Sequence, residues 1–248
     1  MIKDVHFSGP RTPCKICAGS ADLYGVVDFN KSCREAENVF LPLLGVPVYY
    51  HRCDNCGLIF SNAFDQWSAA DFQNYIYNAA YAEVDPEHTD VHPRKLADMV
   101  FSFIKGAGDL RVLDYGGGTG LTAAVLRDKG IAAISWDPMR EEAQPVQSRF
   151  DLVTCFEVFE HTATPRSTAE NALTFLDHKG VLLFSTLAID TLTPRDAGFW
   201  YIAPRNGHIT LYSPKSLQAL FAPLDCNVHH FNDNVHMAYR TLPAWLSP

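Results

Sequence analysis

The sequence predicts a doubly wound α/β sheet preceded by a small cysteine-rich domain. Strand-like apolar segments alternate with helix-like segments from residue 111 onward, an order typical of a parallel sheet covered by helices on both faces. A glycine-rich segment at residues 116–120 follows the first of these strands, where doubly wound folds bind ligands. Two C-x-x-C pairs precede the α/β pattern, at residues 14–17 and 53–56.

Composition limits the functions that this chain of 248 residues can have. The net charge is −8 and the sequence has no Lys/Arg cluster, which disfavours a nucleic-acid partner. The longest apolar stretch, residues 39–50, is short and interrupted by two prolines, so we expect no membrane span. The N-terminus lacks an apolar signal region, and we expect a cytoplasmic protein. The oligomeric state, monomer or homodimer, stays open.

The two C-x-x-C pairs predict a small metal-binding domain over residues 1–63. Each pair allows two thiolates to bind one tetrahedral ion from a tight turn, so Cys14, Cys17, Cys53 and Cys56 indicate a zinc site with four cysteine ligands. A redox dithiol would need a βαβ context, which is absent here. Four thiolates leave no coordination position for water, so we interpret this zinc as structural.

Residues 64–108 predict a helical linker between the two domains. The apolar spacing is helical in two segments, and Pro93 suits the first turn of the second helix. Three tyrosines, Tyr75, Tyr77 and Tyr81, either line a lid over a ligand or pack between the domains.

Residues 109–248 predict the ligand-binding domain. Strands are expected at "RVLDY", "IAAISWD", "FDLVTCF" and "VLLFSTL", with two closing strands near the C-terminus. Helices are expected at "GLTAAVLRDKG", "TPRSTAENALTFLDHKG" and "SPKSLQALFAPL". The third strand of the sheet must be very short, and "PVQ" at residues 145–147 is its predicted place.

The glycine-rich segment indicates a cationic ligand without phosphates. Its spacing is G-x-G-x-G, with Leu121 where a dinucleotide fingerprint has its third glycine. Asp114 precedes the turn and would repel a pyrophosphate, whereas it would attract S-adenosylmethionine, which carries an amino group and a sulfonium. Asp137 ends the second strand, where an acidic residue accepts hydrogen bonds from ribose hydroxyls.

Three segments, "VLDYGGGTG", "SWDP" and "FDLVTCFEVFEH", resemble the class I S-adenosylmethionine-dependent methyltransferases. With two C-x-x-C pairs ahead of it, the chain resembles the subgroup with an N-terminal zinc-binding domain, which includes deoxysugar C-methyltransferases. The resemblance implies a Rossmann-like methyltransferase sheet. The predicted cofactor-binding residues are Asp114, Tyr115, Gly116, Gly117, Gly118, Gly120, Asp137, Pro138, Phe156 and Glu157.

Two histidines are candidates for the general base that methyl transfer to a hydroxyl or an acidic C–H requires. His161 follows the fourth strand and His208 lies in the loop before the last helix; each either contacts substrate or bonds a loop. Glu157, the third predicted catalytic residue, is predicted to face the methionine end of the cofactor or an ordered water. Glu160 is expected to orient His161, and Trp200 and Tyr201 either form a substrate wall or lie in the core.

The leading hypothesis is methyl transfer to a small molecule, a sugar nucleotide or natural-product intermediate, at carbon or oxygen. A zinc-knuckle RNA base methyltransferase is one alternative, which the charge of −8 disfavours. A cofactor-binding module without transfer activity is another.

Overall fold

The fold is seen in a computed structural model, which describes residues 11–140, 149–189 and 197–246. The strands are β1 Thr12–Pro13, β2 Ser20–Asp28, β3 Pro47–Cys53, β4 Ile59–Phe60, β5 Arg111–Tyr115, β6 Ala132–Trp136, β7 Phe150–Cys155, β8 Leu176–Ser185, β9 Thr210–Leu211, β10 Asn227–His230 and β11 Val235–Tyr239. The α-helices are α1 Ala69–Tyr75, α2 Tyr81–Val84, α3 Val91–Phe103, α4 Leu121–Asp128, α5 Pro165–Thr174 and α6 Pro214–Phe221.

The C-terminal part forms a six-stranded sheet with the order β10-β11-β8-β7-β5-β6. Strands β5 to β8 are parallel to their neighbours, and β10 and β11 run antiparallel at one edge. The central strands are apolar and fully buried, as at Val112, Leu152 and Leu182, because helices cover both faces of a parallel sheet. The predicted mixed α/β sheet is confirmed.

One predicted helix boundary in this part is wrong. We expected helix from residue 164 to residue 180, but α5 ends at Thr174 and β8 begins at Leu176. Leu176 is buried and opposite Phe150 in the sheet, so tertiary pairing overrides the local sequence preference. The predicted third strand, at residues 145–147, lies outside the described residues.

The N-terminal part forms a second sheet, with the order β1-β2-β3-β4-β9. Strands β2 and β3 pair as a long antiparallel hairpin. The fifth strand, β9, comes from residues 210–211 and pairs with β4. The predicted division of the chain at residues 63 and 108 stays a prediction, but segments distant in sequence build this sheet together.

The connecting segment contains α1, α2 and α3. Ser68 and Asp71 form a capping box that begins α1. Of the three tyrosines predicted to line a lid or an interface, Tyr81 is buried, Tyr77 is half-buried and Tyr75 is exposed. Within the three described ranges, every helix is too short or too polar to cross a bilayer.

Candidate functional site

The four predicted zinc ligands converge at one end of the N-terminal sheet. One thiol sulfur from each of Cys14, Cys17, Cys53 and Cys56 lies within 4.8 Å of all the others, and we call these residues the four-cysteine cluster. The Sγ atoms of Cys14 and Cys56 are 3.6 Å apart and those of Cys17 and Cys53 are 3.5 Å apart. Zinc–sulfur bonds in a tetrahedron separate the sulfurs by about 3.8 Å, so the cluster fits one zinc ion.

The backbone also prepares this cluster for negative charge. The N–H of Ile16 donates to Cys14 Sγ, and the N–H of Cys56 donates to Cys53 Sγ. The thiol of Cys56 donates to Cys14, which lowers the pKa of the Cys14 thiol to about 5. Cys33 lies outside the cluster, with its Sγ 3.5 Å from His208 Nδ1.

The glycine-rich segment runs from the end of β5 into α4. A Cβ atom on Gly117 would lie 2.2 Å from Ser135 Oγ and 2.3 Å from Asp114 Oδ2, so no other residue fits there. The backbone is therefore bare beside a carboxylate, as expected for a loop that a ligand approaches closely. A Cβ on the preceding Gly116 would lie 2.4 Å from Val158 Cγ2, which places this loop beside the segment after β7.

Asp114 is a buried carboxyl, with 3% of its surface exposed. Its Oδ1 accepts a 3.1 Å hydrogen bond from Thr154 Oγ1. Its Oδ2 is buried and, among the described residues, makes no hydrogen bond of ordinary geometry, although the Ser135 side chain helps to lower its pKa. Burial outweighs both hydroxyls and raises the pKa of Asp114 to about 6. A ligand that brings an ammonium group to Oδ2 would compensate this buried charge, so the site fits S-adenosylmethionine.

Asp137, which directly follows β6, accepts hydrogen bonds that hold the same loop. Its Oδ2 accepts from the N–H of Gly118 at 3.0 Å, and its Oδ1 accepts from the N–H of Met139 at 2.8 Å. Each carboxylate oxygen keeps a second lone pair, which leaves capacity for ribose hydroxyls. The carboxylate is half-buried and Pro138 beside it is exposed.

Two predicted cofactor residues have side chains that serve the interior. Tyr115 packs against Trp136, with ring centroids 5.4 Å apart, and its hydroxyl donates to Asn171 on α5. Phe156 is buried in the apolar cluster that contains Val100 and Leu126. None of the hydrogen bonds or ring contacts of the described residues joins either side chain to Asp114 or Asp137. These two residues would therefore contact a ligand through their backbone atoms.

Glu157 occupies a strained position at the end of β7. Its φ is +53°, which is uncommon for a residue with a side chain. The Ser185 hydroxyl accepts from the N–H of Glu157 at 2.9 Å and donates to its Oε1 at 2.8 Å. The side chain reaches water but is surrounded by protein atoms, and this desolvation raises its pKa. The carboxylate is thus both exposed and partly desolvated.

Both candidate bases lie beside Glu157. One nitrogen from each ring of His161 and His208 and one oxygen of Glu157 lie within 4.8 Å of one another. The ring centroids of the two histidines are 5.0 Å apart. We call these three residues the Glu157–His161–His208 cluster. The sequence predicted all three as catalytic residues, and the fold brings them together.

Burial keeps both histidines neutral. It lowers the pKa of His161 to about 4 and the pKa of His208 well below its usual value. His208 Nδ1 lies 3.1 Å from the carbonyl oxygen of Tyr201. Because a carbonyl oxygen can only accept, Nδ1 carries the proton and Nε2 keeps a lone pair.

The loop that carries His208 passes very close to His161. A Cβ on Gly207 would lie 2.9 Å from His161 Nδ1 and 2.8 Å from the Tyr77 hydroxyl, and the φ of Gly207 is +88°. Only glycine therefore permits this approach. The predicted lid residue Tyr77 lies at the cluster, with its ring centroid 6.0 Å from that of His161.

The N-terminal sheet holds the His208 loop from the other side. The Tyr50 hydroxyl donates to the His208 carbonyl at 2.8 Å, and Ser213 Oγ donates to the Cys56 carbonyl at 2.7 Å. The N–H of Ser61 donates to the Ile209 carbonyl at 2.9 Å. The cysteine-rich region is thus part of the scaffold of the candidate active site.

Sequence reasoning missed two residues that hold the site. Thr154 holds Asp114, and Ser185 holds Glu157. Both are polar residues in otherwise apolar buried strands, and both lie on strands next to the ones they serve. A hydroxyl at the carboxyl end of a buried strand is the signal that could have indicated them.

The Glu160 side chain does not orient His161 through a direct bond. Instead its Oε1 accepts a 2.5 Å hydrogen bond from the Tyr201 hydroxyl. Tyr201 is 6% exposed and Trp200 is 40% exposed, so the two candidate wall residues have different environments.

A family model described as "Methyltransferase domain" matches residues 80–231, which is more than half of the chain. The chain belongs to this family. The predicted enzyme class, an S-adenosylmethionine-dependent methyltransferase, is confirmed at the level of the family. The matched residues begin in the predicted helical linker and include the glycine-rich segment and the Glu157–His161–His208 cluster.

Among curated proteins, this methyltransferase is similar to a ubiquinone biosynthesis O-methyltransferase of Alkalilimnicola ehrlichii. The two are 28% identical over an alignment of 130 residues, and the match covers 42% of this chain and 52% of the relative. The chain therefore matches about half the length of this relative.

Solved structures with similar folds include two methyltransferases. One is 1,6-didemethyltoxoflavin-N1-methyltransferase of Burkholderia thailandensis, at 12% identity and a TM-score of 0.46, over 68% of this chain and 84% of that one. The other is magnesium protoporphyrin IX methyltransferase of Synechocystis with bound S-adenosylmethionine, at 13% identity and a TM-score of 0.44, over 72% and 94%. With TM-scores this low, neither structure indicates what this methyltransferase acts on.

Proposed function

We propose that this methyltransferase moves the methyl group of S-adenosylmethionine to a small molecule, a sugar nucleotide or natural-product intermediate, at carbon or oxygen. The observation that carries the proposal is the arrangement of two sites on neighbouring strands. The glycine-rich segment with Asp114 follows β5, and the Glu157–His161–His208 cluster follows β7, its parallel neighbour.

The residues at the first site suit a cationic donor. The amino group of the donor is placed at Asp114 Oδ2, which lacks a partner of ordinary geometry among the described residues, and the ribose is placed at Asp137. When bound, the donor supplies an electrophilic methyl group on a sulfonium. A Cβ on Gly118 would meet no atom within 4 Å, so the backbone is open at the residue whose N–H donates to Asp137.

The residues at the second site suit proton removal from the acceptor. His161 and His208 are neutral because burial lowers the pKa of each, so a ring nitrogen can accept a proton at neutral pH. That nitrogen would take the proton of the acceptor oxygen or carbon while the acceptor forms its bond to the methyl carbon, the methyl–sulfur bond breaks and S-adenosylhomocysteine leaves. Holding the acceptor in line with the methyl group is then mainly an orientation task.

We assign a structural role to zinc at Cys14, Cys17, Cys53 and Cys56. The spacing of the four sulfurs supports one ion with no open coordination position. Its proposed contribution is to fix the turns that lead into β2 and out of β3. The zinc-binding domain and the resemblance to deoxysugar C-methyltransferases belong to this proposal.

A labelled-methyl assay with zinc-loaded protein tests the proposal. S-adenosylmethionine with a tritiated methyl group is incubated with panels of sugar nucleotides, phenols and other small acceptors, and with RNA at low salt. We expect transfer to a small acceptor, loss of transfer in His161→Asn or His208→Asn, and normal transfer in the control His178→Asn, which changes an exposed histidine. Transfer to RNA alone, or S-adenosylhomocysteine binding with no transfer to any acceptor, would overturn it.

A further inference from the structure

Glu160 is a fully buried carboxyl beside the proposed base His161. Its side chain is 0% exposed, and none of the ion pairs among the described residues includes it. A carboxylate without a cation is costly in such a place, and burial raises the pKa of Glu160 well above its usual value. Burial thus disfavours the ionised form of this carboxyl. Because its side chain is fully buried, Glu160 cannot act on an acceptor directly.

Tyr201 connects this acid to the other proposed base. Its hydroxyl donates to Glu160 Oε1 at 2.5 Å and accepts from the N–H of Leu187 at 3.3 Å. Its ring lies against the His208 ring, with centroids 4.2 Å apart. Its carbonyl oxygen accepts from His208 Nδ1 at 3.1 Å. Tyr201 thus packs against the imidazole and accepts the proton of Nδ1, while Cys33 Sγ lies 3.5 Å from the same nitrogen.

We propose that Glu160 and Tyr201 are a pair of positioning residues that holds His208 with its Nε2 lone pair toward the acceptor. The inference rests on the proposed function of His208 as a base. Glu160 also ties the two histidines together, because it precedes His161 in a short 3-10 helix, Phe159–His161, and its carbonyl accepts from the N–H of Ile209 at 2.9 Å. The pair therefore sets the separation of the two imidazoles as well as the tautomer of one.

Tyr212 offers a matched control for Tyr201. It is equally buried, at 3% exposure, and its hydroxyl donates to the Phe159 carbonyl of the same short helix at 3.1 Å. Unlike Tyr201, it makes no contact with His208 among the interactions of the described residues. Tyr212→Phe thus removes a buried hydroxyl from the same region without releasing the imidazole.

The test compares Tyr201→Phe, Glu160→Leu and Tyr212→Phe in zinc-loaded protein. With the best acceptor from the panel, we expect Tyr201→Phe and Glu160→Leu, which removes the oxygen that accepts from Tyr201, to lower kcat by about tenfold or more, with KM and the S-adenosylhomocysteine Kd within about twofold. The double variant should lose little more than either single one, because both changes break one contact. Tyr212→Phe should keep kcat within about twofold of the parent.

Nitrogen-15 NMR of labelled histidine gives a readout that needs no acceptor. We expect His208 to be the Nδ1–H tautomer in the parent and in Tyr212→Phe, and a mixture of tautomers in Tyr201→Phe and Glu160→Leu, because loss of the hydroxyl contact lets the Tyr201 ring and carbonyl move away from the imidazole. An unchanged His208 signal in both variants, or a kcat loss no greater than in Tyr212→Phe, would overturn the inference. If His208→Asn abolishes transfer while Tyr201→Phe does not, the inference fails and the proposed function stands. If the parent transfers no methyl group, the proposed function fails while the NMR result still decides the inference.

Discussion

The four-cysteine cluster and the Glu157–His161–His208 cluster are built in opposite ways. In the first, four sulfurs face one another and backbone N–H groups donate to two of them, so the proposed zinc ion would use all four donors. In the second, the donor atoms also lie within 4.8 Å of one another, but Glu157 reaches water and its backbone is strained. Closed coordination gives stability, whereas open and strained geometry is typical of a site that acts on a substrate.

The comparison also shows that the two clusters depend on one another. Strand β9 pairs with β4 of the N-terminal sheet and directly follows the loop that carries His208. The N-terminal sheet that carries the four-cysteine cluster therefore also supports the loop of the Glu157–His161–His208 cluster, although the two clusters are distant in sequence.

Loss of the proposed zinc should have the largest effect. Cys53→Ser removes one thiolate, so we expect zinc loss, release of the N-terminal sheet and a fall in methyl transfer of at least about 100-fold, because the His208 loop loses its support. Zinc content, circular dichroism and the transfer assay measure this. Cys226→Ser, at a buried cysteine outside the cluster, is the control. Unchanged transfer by zinc-free Cys53→Ser would contradict the proposed dependence of one cluster on the other.

Removal of a base should have the next largest effect and should leave cofactor binding intact. We expect His161→Asn or His208→Asn to lower kcat by about 100- to 10,000-fold, with the S-adenosylhomocysteine Kd within about threefold. Since burial lowers the pKa of His161 to about 4, protonation of this base should not limit transfer until the pH falls toward 4. A limb in the kcat profile near pH 6.5 that disappears in His161→Asn would contradict this.

Asp114→Asn should weaken cofactor binding and increase the stability of the protein without ligand. We expect the S-adenosylhomocysteine Kd to rise by at least about tenfold, measured by calorimetry at pH 7.5. Burial raises the pKa of Asp114 to about 6 from the usual 3.8, so the folded protein binds this proton more tightly than the unfolded chain and the charged form costs stability above pH 6. Without ligand, the neutral variant should therefore unfold at a higher temperature. Its free energy of unfolding should be higher by on the order of 2 to 3 kcal/mol.

The pH dependence of the parent gives an independent check of Asp114. Ligand affinity should fall as the pH drops through about 6, because protonation removes the charge that attracts the amino group. The Asp114→Asn variant should show no such step. A parent affinity that stays constant from pH 7.5 to pH 5 would argue against contact between Asp114 and the ligand.

Relief of the backbone strain at Glu157 should have the smallest effect, and this effect is on the free energy of unfolding. Glu157→Ala and Glu157→Gly both remove the carboxylate, but only glycine relieves the φ of +53°. We expect Glu157→Gly to be more stable than Glu157→Ala by about 1 kcal/mol in urea unfolding, with transfer reduced in both. Equal stability of the two variants would show that the backbone is not strained there.

The sequence predicts most of the fold because hydrophobic patterns are local. The strands at residues 111–115 and 150–155 are short segments rich in apolar residues, and the C-x-x-C pairs carry their geometry within four residues. The end of α5 could not be predicted, because pairing of Leu176 with Phe150 decides it.

The candidate site could be predicted only in part. Glu157 and His161 follow a strand that the sequence pattern identifies, and His208 lies in a loop that it also identifies. Their roles could therefore be predicted. The contacts that hold them come from remote residues, as when Ser185 bonds Glu157 and Tyr50 bonds the His208 backbone. Strand order and register create those pairs, and no local pattern in the sequence encodes them.

A crystal structure with S-adenosylhomocysteine would test the central claim most directly. We predict that the ligand lies across residues 116–120. Its amino group should be in hydrogen-bond contact with Asp114 Oδ2, and its sulfur should face the Glu157–His161–His208 cluster. A nucleotide diphosphate binding across the same glycines, or S-adenosylhomocysteine bound away from Asp114, would contradict it.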